Sequence, residues 1–502
     1  MLVVMVVVCV AVVMVRQAGQ GVWGNGKGTI EAGRVGRLAG QEEDTGDPLG
    51  RLVVLVREFE TFDNDVGETV TSVLRACGGL CRAAVVSDQV VYPPLVLPPR
   101  VPSVVLTPDL LRPRPNIHHL LSGARHVLLL PDGARCSSSA QLRDLVHLLE
   151  GGDAQVVAVG VGGTPLTCHR YTLQVAAWTL TVAPAPQSEA CDAVSGRAAL
   201  LLHTKDLLAL THPMARPLPL SIGVQGAARG WKVHVGRGGL LGEGRQLFST
   251  EHLRWKKEGL EEERRRALYE SLGIKKVVSS GGDVHWYGCT RTTPRCFPTV
   301  VQDTPQYLHL GRWTPPCCLE GLRATARHVF QVLKGCRARW WLEGGTLLGA
   351  VRSGDIIPWD YDVDIGIYAA DVERCPAIKA ARWQTLEDGE GFVWQRAPDG
   401  NFFQVHFSTA NHLHVDIFPF TPHGGTMTRD GAWSTGHRQD VDFPEHFLRP
   451  LAAVTFAGVL ASAPNNVRDF LELKFGPGVI ETPQYPNPDL PLPHNLTALL
   501  HT

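Results

Sequence analysis

Between Trp340 and Tyr368 the chain reads WWLEGGTLLGAVRSGDIIPWDYDVDIGIY, with Asp360, Asp362 and Asp364 at alternate positions among tryptophan, isoleucine and proline. Successive side chains of a strand point to opposite faces, so alternation predicts one face carrying all three carboxylates. Val363, Ile365 and Ile367 then occupy the opposite register and face a core. Three carboxylates on one such face repel one another unless a cation neutralises them. The Gly344–Gly345–Thr346 turn just upstream leads into an apolar, helix-like run, and glycine lets backbone approach phosphate closely. Together these features predict a Mg2+-phosphate site. A fourth acid, Asp416, follows on the strand-like run His414–Val415–Asp416–Ile417–Phe418. An exposed acidic strand edge is the plainer reading, and the apolar surroundings count against it.

At 502 residues the chain is long enough for about two to three domains. Its 48 Lys+Arg against 49 Asp+Glu leave a net charge of -1, which removes the electrostatic case for a nucleic-acid partner. With 44% hydrophobic and 19% charged residues it is globular rather than disordered. Short apolar runs near Leu52, Val85, Leu129, Val157, Leu201 and Val233 alternate with helical patterns such as Asp63 to Cys77 and Gln141 to Glu150. That alternation predicts an α/β domain with a mostly parallel sheet. Tyr92 to Pro115 is Pro-rich and reads as an irregular excursion. Leu253 to Leu272 reads as a surface helix, with Glu262 and Arg266 spaced four apart. The composition then shifts, and a second, α+β domain is expected from Cys289. The expected boundaries are an apolar segment over 1–15, a flexible stem linker over 16–50, a first domain over 51–288 and a second over 289–502.

Met1 to Val15 is apolar and uncharged, and at about 1.5 Å per residue it spans roughly 22 Å as a helix, short of a ~30 Å hydrocarbon core. A short signal anchor and entry into the secretory pathway are the expectation. Cys168 and Cys191 are the expected disulfide of the first domain. Cys289, Cys296, Cys317 and Cys318 lie within thirty residues of one another, as either a tetrahedral zinc site or two disulfides. Cys77, Cys81, Cys136, Cys336 and Cys375 read as buried small hydrophobes. In the first domain, Pro131–Asp132–Gly133 after an apolar strand places one acid where a glycosyltransferase needs a metal-binding pair, and it reads as a turn.

The pattern G-G-T, D-x-D-x-D and V-D-I-F-P resembles the LicD-type transferases of the nucleotidyltransferase fold, among them the ribitol-5-phosphate transferases of vertebrates. The likeness extends over VLVREFETFDN near Phe59, WYGC at Cys289, TPPCCL at Cys317, NHLHVDIFPF near Asp416, HRQDVDFPEHFL at His437 and LELKFGPGVIETPQYPNP. It covers nearly everything after Arg51. It implies a type II Golgi membrane protein, with a glycosyltransferase-like stem domain and a catalytic domain facing the lumen. The implied donor is CDP-ribitol, and the implied acceptor is the phosphorylated O-mannosyl glycan of alpha-dystroglycan. It also implies zinc at Cys289, Cys296, Cys317 and Cys318 as a structural staple, other O-mannosyl glycan enzymes as partners, and a homo-oligomer.

On this reading Asp360, Asp362 and Asp364 hold Mg2+, and Asp416 completes the metal shell or accepts a proton. Arg352 clamps phosphate, and backbone near Gly345 approaches it. Trp359 and Tyr361, flanking the acids beside Val363, offer aromatic faces to the nucleotide. His437, Arg438 and the Ile480–Glu481–Thr482 turn contribute further contacts. Two other classes stay open: a nucleotide-sugar glycosyltransferase acting through the first domain, and a non-catalytic scaffold.

Overall fold

In a computed structural model the described residues are 46–483, except 109–115, 164, 187–190, 237–240, 296, 298–299, 302–303, 399 and 430–438. The first domain is built on seven strands: β1 (Leu52–Val56), β2 (Arg82–Ser87), β3 (Ser103–Val105), β4 (His126–Leu130), β5 (Val156–Gly160), β6 (Ala198–His203) and β7 (Val233–Val235). Their order in the sheet is β7-β5-β6-β4-β1-β2-β3. All pairings are parallel except those of β6, which runs against both β4 and β5. The apolar runs are continuous because both faces are covered. Leu52, Val54 and Val56 face one core, while Val53 and Leu55 face another.

The helices α1 (Val66–Ala76) and α2 (Ser139–Glu150) pack on this sheet through Val66, Val70 and Val73 and through Leu142, Leu145, Val146 and Leu149. Part of the Pro-rich excursion is ordered as β3, which pairs with β2; three residues between prolines give no periodicity to read. The charged stretch is α3 (Glu251–Ser271), as expected. Glu262, however, pairs with Arg265 rather than Arg266, and Arg264 reaches the buried Glu60. A second sheet of the strands Thr167–Gln174, Thr179–Pro184, Ala193–Ser195, Lys276–Val278 and Val284–Trp286 leans towards the second domain.

The second domain opens with α4 (Pro316–Gly335), whose buried stripe includes Leu322, Ala326, Val329 and Leu333. It covers a mixed sheet of β8 (Trp340–Leu342), β9 (Val363–Tyr368), β10 (Val393–Arg396), β11 (Phe403–His406) and β12 (His414–His423), in the order β8-β9-β12-β11-β10. Between β8 and β9 lies α5 (Gly344–Ser353), and a later strand, β13 (Thr426–Arg429), pairs with β12. The helix α6 (Val467–Phe475) closes the core beside α5. Among the described residues β9 and β12 are the one parallel pair of this sheet, and they carry Asp364 and Asp416.

Cys168–Cys191 is bridged as expected. Cys77–Cys81 and Cys336–Cys375 are bridged as well, correcting their reading as lone hydrophobes, and Cys136 is buried and free. Pairing of Cys336 at the end of α4 with Cys375 needs the fold, since 39 positions separate them. No helix among the described residues is long and apolar enough to cross a membrane. The apolar run at Met1 to Val15 lies outside them.

Candidate active site

The strand β9 begins at Val363, so the three acids do not share one strand face. Asp360 and Asp362 lie in the connection before it, and only Asp364 is on the strand. The physical reason is a turn: the Asp360 N–H donates to the Ile357 carbonyl at 2.8 Å, so this backbone is not extended into the ladder. Asp360 then accepts the Tyr361 N–H at 3.0 Å. Val363, Ile365 and Ile367 are fully buried, as the alternation required. Asp364 and Asp416 are register partners on the parallel strands β9 and β12, so their side chains leave the sheet on the same face.

The helix α5 is tied to this edge. The Glu343 N–H donates to the Asp364 carbonyl at 3.0 Å, and the Asp364 N–H donates to Thr346 Oγ1 at 2.8 Å. A Cβ at Gly345 would stand 3.1 Å from Asp360 Oδ2, so a side chain there would press on that carboxylate. Behind the turn, Glu343 accepts from Trp341 Nε1 at 2.7 Å and meets the buried Lys474 of α6 at 2.5 Å. The sequence reading missed this pair, because α6 lies more than a hundred residues downstream.

Burial, and then the charge of Asp362, pushes Asp360 well above the usual carboxylate range. Burial followed by Asp362, Asp416 and Asp360 does the same to Asp364. Burial raises Asp416 to about 6 against the opposing pull of His414. Asp416 Oδ1 is buried without a hydrogen-bond partner, and His414 Nε2 stands 3.7 Å away. Half-buried carboxylates that raise one another, with one buried oxygen left orphaned, form a hard, oxygen-donor set that fits Mg2+. Arg429 on β13, another residue the sequence did not single out, lies over the Phe418 ring at 3.8 Å, and its charge is felt at Asp364 and Asp416.

Arg352 and the Ile480–Glu481–Thr482 turn come together, but not through a ligand. The guanidinium donates to the carbonyls of Ile480 at 3.2 Å, Val479 and Thr482. In this structure it anchors that turn, which corrects its reading as a phosphate clamp, while Glu481 pairs with Arg468. Trp359 meets Trp313 at a tilt with ring centres 6.5 Å apart, and Tyr361 meets Phe297 edge-on at 5.6 Å. His437 and Arg438 lie outside the described residues.

Cys289 and Cys317 are bonded to one another, and Cys318 Sγ stands 3.7 Å from Cys289 Sγ; Cys296 lies outside the described residues. The disulfide alternative is thus the one recorded here, since thiols spent in a disulfide cannot ligate zinc as thiolates.

In the first domain a cavity of about 1070 Å³ opens where the chain leaves β1 and β4, lined by Glu58, Asp132, Tyr171, Arg197 and Arg216 among others. Asp132 is not a surface turn residue. It is buried and accepts from the Asp65 N–H at 2.8 Å and Thr69 Oγ1 at 3.2 Å, tying the start of α1 to the strand end. Both its oxygens are thereby committed. Among the described residues, His126, Glu150 and His203 bring ligand atoms within 4.8 Å of one another. His126 Nε2 is already hydrogen-bonded to Glu150 at 2.6 Å, with Arg125 on the other oxygen.

Two family models match the chain: the fukutin-related protein stem domain over residues 40–280, and the LicD/FKTN/FKRP nucleotidyltransferase domain over residues 337–466. The chain is 49% identical over 448 residues to the mouse and human proteins named ribitol 5-phosphate transferase FKRP, covering 88% of this chain and 89% of each of theirs. It is 28% identical over 164 residues to the mouse ribitol-5-phosphate transferase FKTN, covering 31% of this chain and 33% of that one.

Proposed function

Because the chain belongs to the fukutin-related family of ribitol 5-phosphate transferases, we propose that it moves ribitol 5-phosphate from CDP-ribitol to a phosphorylated O-mannosyl glycan at the Asp364–Asp416 edge. The chain is a ribitol 5-phosphate transferase; the donor, the metal and the acceptor glycan of alpha-dystroglycan are the proposal. The observation that carries the placement is the pair of half-buried acids in register on adjoining parallel strands, with one buried oxygen of Asp416 unpartnered.

In the transfer, an acceptor hydroxyl attacks the phosphorus that bears ribitol. A new P–O bond forms, and the bond to CMP breaks with its electron pair leaving on CMP. Mg2+ held by Asp360, Asp362 and Asp364 would supply charge neutralisation at the diphosphate. Asp416, raised to about 6, is suited to take the hydroxyl proton near neutral pH or to complete the cation's oxygen set. The pH–rate profile of Asp416→Asn separates these roles. The N-terminus of α5 supplies backbone N–H groups suited to an anion. Arg429, whose charge is felt at Asp364 and Asp416, is suited to balance these acids.

The apolar Met1–Val15 run and the bridged cysteines support a Golgi membrane protein with its catalytic part in the oxidising lumen. The sulfurs of Cys289, Cys317 and Cys318 are drawn together at one place, so the loop would hold zinc with Cys296 only if these cysteines were reduced. Homo-oligomerisation and association with other O-mannosyl glycan enzymes complete the proposal. The deciding experiment incubates the purified chain with CDP-ribitol and a phosphorylated O-mannosyl acceptor, with and without Mg2+, beside Asp364→Asn. CMP release and product formation that need both Mg2+ and Asp364 support the reading. Undiminished transfer by Asp364→Asn overturns it.

A further inference from the structure

A path of hydrogen bonds leads from the first domain to the backbone of Asp360. It starts in the turn between the strands Thr167–Gln174 and Thr179–Pro184. There Trp178 sits at φ +54, a left-handed conformation that a bulky residue rarely adopts, and holds its place through an N–H bond to the Val175 carbonyl. Trp178 Nε1 donates to the Trp313 carbonyl at 2.7 Å, and the Trp313 N–H donates back to the Ala176 carbonyl at 2.8 Å. The next residue, Thr314, is buried. Its N–H donates to the Pro358 carbonyl at 3.0 Å, and its hydroxyl donates to the Asp360 carbonyl at 2.6 Å. Tyr307 Oη stands 3.0 Å from the same hydroxyl oxygen, which fixes the rotor.

The connection Pro358–Asp362 is outside any strand, so no ladder holds it. Thr314 grips it from outside, and Trp178 grips the segment that carries Thr314. We propose that Trp178 and Thr314 are positioning residues for the transfer. Through them the first domain sets where the Asp360 end of the acid loop stands, and so takes part in the reaction without touching substrate. This rests on the reading of the acid edge as the seat of chemistry. The physical reason is that three carboxylates repel one another, and an irregular loop holds them at fixed spacing only if its backbone is anchored.

The test uses the full chain and three variants. Thr314→Val keeps shape and removes the hydroxyl, Thr314→Ser keeps the hydroxyl, and Trp178→Phe removes the donor but keeps a ring in a half-buried position. Two quantities are read: kcat with CDP-ribitol and acceptor, and binding of Mn2+ as a probe for Mg2+, followed by electron paramagnetic resonance without substrate. Thr314→Val and Trp178→Phe are expected to lower kcat by about 10- to 100-fold, as a displaced reacting group does. They should also weaken Mn2+ binding several-fold, with KM for CDP-ribitol nearly unchanged. Thr314→Ser should regain most of both. Parental kcat and Mn2+ binding in folded Thr314→Val and Trp178→Phe overturn the inference, as does a Thr314→Ser chain as impaired as Thr314→Val. Asp364→Asn is run beside them. If it keeps both activity and Mn2+ binding, the underlying placement of the site has failed instead.

Discussion

Asp364 and Asp416 stand opposite one another on adjacent parallel strands, 52 positions apart in sequence and paired in register. Side chains that leave a sheet at one register position on neighbouring strands are close neighbours, so the charge of each is felt by the other. The pairing concentrates negative charge on a half-buried edge, and nothing in the local packing requires it. An arrangement that costs stability and persists is the mark of a site kept for chemistry.

Asp364→Asn should lower transfer by at least about 100-fold, the scale of losing a preorganised charge-stabilising group. Its unfolding midpoint without metal should hold or rise, because a buried carboxylate held well above its usual range is replaced by a neutral group of equal size. Calorimetry beside the rate assay checks both. A fall in stability to match the lost activity would point to a structural role.

The metal-free chain should gain stability as pH falls from about 6 towards 4. Asp416 has its folded pKa raised to about 6, while the unfolded value is near 4, so its protonated form favours the folded state in that window. The contribution is complete below the unfolded value and disappears as pH rises through the folded one. Unfolding midpoints at pH 4.5 and 6.5, compared between parent and Asp416→Asn, isolate it; the variant should lack this component.

Lys474→Met should destabilise the second domain by about 3–5 kcal/mol, the usual cost of leaving a buried carboxylate without its partner. Glu343 would keep only neutral donors such as Trp341 Nε1 beside the acid edge. The double variant Glu343→Gln/Lys474→Met should recover part of that loss. Denaturant unfolding of the three variants gives the coupling, and additive losses would contradict it.

Asp132→Asn should cost about 1–3 kcal/mol, since an amide NH2 replaces an oxygen that accepts a buried hydrogen bond. Turnover should stay near the parental rate. A loss of kcat as deep as that of Asp364→Asn in folded protein would move chemistry into the first domain.

Strands β1, β2, β4, β5 and β6 were legible because each is a continuous apolar run, and a strand buried on both faces needs nothing else. Cys168–Cys191 was legible for a local reason too, since only 23 positions separate the two cysteines. Asp132 was misread. A Pro-Asp-Gly triplet looks like a surface turn until α1 is folded over it, and then its carboxylate becomes the buried acceptor for Asp65 and Thr69. Arg352 was misread for a similar reason, since the carbonyls of Val479, Ile480 and Thr482 that occupy it come from a distant segment.

The sequence by itself determined that an acidic, glycine-flanked set would lie among apolar residues, and which side chains of β9 would be core. Both follow from residue type and a period of two, which are local properties. It could not place the acids, because strand periodicity says nothing about where the strand begins. A turn at Ile357–Asp360, held from outside by Thr314, keeps Asp360 and Asp362 off the ladder. Only the tertiary structure put Asp416 beside Asp364, Arg429 over the Phe418 ring, and Lys474 behind Glu343. Those are long-range contacts, set by sheet order and helix packing, and no stretch of chain encodes them until the whole core has formed.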